Sequence, residues 1–173
     1  MTPSEAKAAG TAMIALWESE FKATLQVIAA VKDDNRQYKP DPKSRTAWEL
    51  AMHLAMADVW FANSIAAGKF EWDQDAVKKA EDGFTSVNQV VEYYKQAFPA
   101  SLQALRALSA DQMAETIGFF GNFNKTRAAF IGFANNHSVH HRGQLAAYLR
   151  PLGSRVPDIY GPSADSKDKD RET

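Results

Sequence analysis

"NNHSVHHRGQLAAYLRPLG", residues 135–153, decides how the fold is read. It continues an apolar period that starts near Thr126 and puts Phe130, Ala134, Leu145 and Tyr148 on one seam, so the chain from Thr126 to Arg150 reads as an amphipathic helix. Pro151 and Gly153 stop it. The same stretch packs three of the chain's four histidines into five residues. At about 100° per residue, His137 and His141 lie roughly 40° apart on the seam, while His140 turns to its flank beside Phe133 and Gln144.

Upstream, Thr2-Pro3-Ser4-Glu5 offers a cap, a proline at the first helical position and a carboxylate that can reach back. Helix one follows, with Met13, Leu16, Trp17, Phe21, Leu25 and Ile28 at three- and four-residue steps. "NRQYKPDPKS", residues 35–44, is a connection, because each proline bars helix from the residue before it. Helix two starts near Ser44 or Thr46 and ends at Gly68. "KFEWDQDAVKKAEDGFT", residues 69–85, has no sustained period and reads as a long crossover with at most a short helix. Ser86 and Gln89 form a capping box for helix three, which runs from Val87 towards Leu108, with a kink or interruption predicted at Pro99. "SADQMAETI" (109–117) gives one or two helical turns capped by Ser109, and "GFFGNFNK" (118–125) an extended or turn segment.

Four long helices without convincing strands predict an all-α fold, a four-helix bundle with a long crossover between helices two and three. A chain of 173 residues fits one domain, taken as residues 1–162, with the polar stretch 163–173 expected to be a mobile tail. The net charge of -1 leaves no basic footprint for nucleic acid. Early charged residues and the lack of about 18 uninterrupted apolar residues argue against a signal peptide and a membrane span, so a soluble cytoplasmic protein is expected. Without cysteine there is no thiolate ligand and no cysteine nucleophile.

The fourth histidine, His53, lies midway along helix two on a face with Leu50, Met56, Ala57 and Trp60. An inward imidazole costs about 1–3 kcal/mol for each polar group left unsatisfied. A divalent metal accepting one nitrogen from each of His53, His137 and His141 removes that cost, and histidines at i and i+4 can meet a third from a facing helix. A hydrogen-bonded core histidine is the commoner use of such positions, and spacing alone leaves both readings open. Paired Glu-x-x-His, His-Glu-x-x-His, Gly-rich phosphate loops and the Gly-x-Ser-x-Gly elbow are all missing from the sequence.

The mid-helix-two histidine, "HSVHHRGQLAAYLRPLG" at 137–153 and "VPDIYGPSAD" at 156–165 together resemble the DinB-like superfamily of metal-binding four-helix bundles. The resemblance covers nearly the whole chain. It implies an up-down-down-up bundle, often a homodimer, with zinc, nickel, manganese or iron held by His53, His137 and His141, and it assigns nothing to His140. Members include thiol S-transferases, thiol-dependent isomerases and hydrolases.

Three neutral imidazoles leave such a metal its full double charge and open positions. Transfer of a small cellular thiol to an electrophilic small-molecule substrate is the expectation, with a metal-dependent hydrolase or a non-catalytic metal-binding bundle as alternatives. The catalytic groups are not identifiable from the sequence. Glu49 is a candidate to accept the other N–H of His53, Gln144 to orient a water or substrate, and Arg142 is expected in a surface or interface ion pair. Trp48, Trp60, Phe119, Phe120 and Phe123 are candidates for a pocket wall.

Overall fold

The computed structural model describes residues 1–167. α1 (Pro3–Ala29) begins with the expected capping box, Thr2 accepting from the Glu5 N–H while the Glu5 carboxylate accepts from the Thr2 N–H. Its inward face is the expected one but for Leu16, with Met13, Phe21 and Leu25 partly buried against the core. Ile14, Trp17, Val27 and Ile28 are buried, whereas Leu16 is 46% exposed. α2 (Ala47–Ala67) is capped by Thr46 and ends at Gly68, whose φ of 79° is the left-handed conformation that stops a helix. A Cβ at Gly68 would overlap the guanidinium of Arg127, which donates to Ala66 O at 2.9 Å.

The crossover contains α3 (Gln74–Asp82), capped by Asp73 and contributing no buried residue. α4 (Val87–Arg106) is capped by Ser86, but Gln89 turns its side chain to the Thr85 N–H at 2.7 Å, so only half of the expected box forms. Pro99 does not interrupt α4. The carbonyl it leaves without a partner belongs to Lys95, on the exposed side of the helix, where water can serve it. α5 (Ala110–Ala114) follows with a full Ser109–Gln112 capping box.

The all-α expectation needs correction at "GFFGNFNK". Thr116–Phe119 (β1) and Phe123–Thr126 (β2) pair as a two-stranded antiparallel hairpin. Phe120 and Gly121 both take positive φ, 48° and 75°, and the Asn122 N–H closes the turn on Phe119 O at 2.9 Å. Such a turn suits strand twist, but a phenylalanine there bears a strain of about 1–2 kcal/mol. Two strands of four residues are too short for periodicity to announce them.

α6 (Arg127–Leu149) completes the core; α1 and α2 each pack against both α4 and α6. α2 is long and apolar enough, by length and composition, to cross a membrane, yet 67% of its most apolar window is buried against the other helices, the pattern of a core helix. The expected tail starts with a short helix, α7 (Ala164–Lys167). Asp165 accepts from the Val156 N–H at 2.6 Å and pairs with Arg150 at 3.1 Å, so this stretch is held to the end of α6. The remainder of that expectation, residues 168–173, lies outside the described residues.

Candidate metal centre

α2 and α6 pack side by side, and this brings His53 opposite the His137–His141 pair. Ring centroids stand 5.2 Å apart for His53–His137, 4.6 Å for His53–His141 and 4.4 Å for His137–His141. One ligand nitrogen from each ring lies within 4.8 Å of the others, so the trio could hold a metal ion. Two nitrogens each about 2.1 Å from one ion are at most about 4.2 Å apart, and small side-chain torsions make up the difference.

The donor set also fits an ion electrostatically. Burial pushes His53 down to about 3, helped by the charge of Arg45 and by His141 and His137. Burial likewise lowers His137 to about 4, with His141 and His140 adding to it. His141 is lowered by burial, partly offset by its hydrogen bond with Gln144. All three rings are therefore neutral near pH 7, the form that binds metal.

Two further observations bear on the fit. Nδ1 of His137 is buried with no hydrogen-bond partner among the described residues, a cost that an unfilled core position would not ordinarily tolerate. Gln144 Nε2 donates to Tyr148 OH at 3.3 Å, which turns Oε1 towards His141 Nδ1 at 3.1 Å. The amide oxygen thus holds the proton on Nδ1 and leaves the Nε2 lone pair free. Gln144 orients the His141 ring.

Glu49 does not serve His53 as expected; its carboxylate accepts from the Thr46 N–H at 2.7 Å as part of the helix cap. His140 stays outside the trio, exposed, with its ring 4.9 Å from that of His141. Arg142 overturns the surface reading. It is 1% exposed and pairs with Glu20 at 2.5 Å, while donating to Tyr160 OH at 2.5 Å. Arg142 does lie off the histidine seam, on the side of α6 that α1 covers.

Asp58 went unnoticed in the sequence. It is fully buried, and its Oδ2 accepts from Tyr94 OH at 2.7 Å and Ser138 Oγ at 2.8 Å. Burial raises it to about 7 against the pull of these hydrogen bonds and of Arg142. Because Ser138 follows His137 and Arg142 follows His141, these two clusters tie α6 to α1, α2 and α4 at the level of the histidines. A carboxylate inside the apolar run of α2 was the available signal.

A cavity of about 660 Å³ adjoins the trio and includes His53 and His137 in its wall. Trp60, Phe119 and Phe120 line it as expected. Trp48 instead lies under Arg36 at 4.3 Å, and Phe123 packs on Phe119 at 5.2 Å, so neither reaches the wall.

The model of the DinB family matches residues 5–172. The uncharacterized proteins YjoA and YrdA of Bacillus subtilis (strain 168) are each 29% identical to this chain. YjoA aligns over 82% of this chain and 90% of its own length, and YrdA over 86% of each. Among solved structures, a DinB-like protein from Bacillus cereus ATCC 10987 superposes with a TM-score of 0.70 at 22% identity, covering 86% of this chain and 95% of that one. The crystal structure of the DinB-like protein YjoA gives 0.67 at 23% identity, covering 87% and 99%. At these identities the likeness is one of fold.

Proposed function

We propose, from the premise that this chain belongs to the DinB family, that it is a divalent-metal-dependent enzyme transferring a small cellular thiol to an electrophilic substrate. His53, His137 and His141 are the ligands in this reading, and zinc, nickel, manganese or iron the candidate ions. The observation that carries it is the meeting of three neutral imidazoles from two helices, one with a buried nitrogen that no group among the described residues satisfies. A cation held this way keeps its double charge and supplies Lewis acidity that favours the thiolate of a bound thiol.

The chain's own groups do the positioning. Gln144 fixes the tautomer of His141, and the Asp58–Ser138 bond fixes the turn that carries His137. The cavity beside His53 supplies a place where an electrophile can sit with little water. The absence of cysteine from the sequence agrees with a thiol that comes from a cosubstrate. The same reading has the four long helices running up-down-down-up in a homodimer located in the cytoplasm.

Metal-loaded protein should consume a thiol and an aryl electrophile together, and His137→Ala should abolish this. Hydrolysis of an ester or amide at a rate indifferent to thiol would replace the transferase with a hydrolase. Tight metal uptake without any turnover would leave a binding protein.

A further inference from the structure

The cavity beside the histidines has walls that restrict what it can hold. We propose that it takes the neutral aromatic body of a small-molecule substrate whose single polar head reaches the metal, an inference resting on the metal reading above. Its volume, about 660 Å³, is that of a site for a drug-sized molecule rather than for a solvent pocket.

One wall is aromatic. The Trp60 indole lies parallel to Phe120, with centroids 6.2 Å apart at 1°, and edge-on to Trp72 at 5.4 Å and 85°. Both indole N–H groups are already engaged, Trp60 with Glu71 O at 3.0 Å and Trp72 with Gln74 Oε1 at 2.9 Å. They therefore offer a ligand ring faces and edges, not hydrogen bonds. Trp72 and Phe120 are each 50% exposed, and Phe120 holds a φ that side chains rarely adopt. The core gains little from placing them there, whereas a ring entering beside Trp60 would cover them.

The facing wall comes from α3 through Ala76, Val77 and Ala80. Since α3 buries no residue, the core does not require this face to be apolar. Glu81 is the lone charged side chain in the lining, and it disfavours anions. A cosubstrate thiol bearing carboxylates would have to shed its hydration against such walls and face Glu81. The cavity is accordingly assigned to the electrophile, and the thiol must reach the ion from elsewhere.

Calorimetric titration tests this with two probe pairs. On metal-free protein, neutral 2-naphthol should bind at least about tenfold tighter than 2-naphthalenesulfonate; on zinc-loaded protein, benzohydroxamate should bind at least about tenfold tighter than acetohydroxamate. Trp60→Ala risks the fold, so the variant of choice is Val77→Asp, whose short carboxylate enters the cavity from a helix outside the core. It should weaken 2-naphthol and benzohydroxamate and erase the preference for benzohydroxamate over acetohydroxamate, while leaving zinc content and acetohydroxamate affinity unchanged. Equal affinities within either pair, or an unaffected Val77→Asp, would overturn the proposal. Failure of zinc uptake would overturn the metal reading and the placement of the head, while the naphthol pair still decides the cavity.

Discussion

Replacing Asp58 with asparagine should remove a pH dependence from the stability of the metal-free protein. The carboxyl is fully buried and raised to about 7, whereas in the unfolded chain it returns to roughly 3.9. A folded pKa above the unfolded one means that the native state holds a proton which the unfolded state releases. The stabilisation is complete below about pH 4 and is lost as pH rises through about 7. Linkage with these values gives a contribution of roughly 2–3 kcal/mol at pH 5 that falls close to zero by pH 8. Asparagine can present an oxygen to Tyr94 and Ser138 but cannot titrate. Urea unfolding of both proteins from pH 5 to 8 should therefore show wild type losing roughly 2–3 kcal/mol relative to the variant as pH rises across this range. Contributions from the histidines cancel in the difference. Parallel profiles would refute the argument. Asp58→Ala, which strands two buried hydroxyls, should cost about 2–5 kcal/mol across this range.

Gln144→Leu should fold normally but weaken zinc binding about 10- to 100-fold, read by chelator competition, because His141 loses the partner that fixes its tautomer. Arg142→Ala leaves Glu20 buried without its cation and should lower unfolding stability by roughly 3 kcal/mol, with a smaller loss in the Arg142→Ala/Glu20→Ala double variant. Zinc affinity should fall less between pH 8 and about 6 than three ordinary imidazoles would allow, since burial depresses His53 to about 3 and His137 to about 4 and lowers His141 as well. A steep loss of affinity between pH 7 and 6 would show that the rings titrate as ordinary imidazoles.

The long helices were legible because each has a sustained period and a start signal: Thr2 and Ser86 cap as read, Thr46 settles the choice left between it and Ser44, and Thr126, read as the first helical residue, is the N-cap. The shared face of His137 and His141 was legible too, since about 40° of helical arithmetic survives any mode of packing, whereas His53 comes opposite them only through the packing of α2 on α6, which spacing does not fix. What escaped was set by neighbours. Arg142 reads as a surface or interface charge until α1 and α6 face each other, and Asp58 is meaningful only once Tyr94 and Ser138 arrive from two other helices. The hairpin was read only as an extended or turn segment, since four-residue strands carry no period to show that they pair.

Metal analysis of wild type and His53→Ala, each loaded with zinc and dialysed, tests the central claim most directly. The account predicts stoichiometric zinc in the wild type and its loss in the variant, with the helical circular dichroism of the two unchanged. Equal zinc content in both proteins would contradict it, because α2 would then contribute nothing to holding the ion.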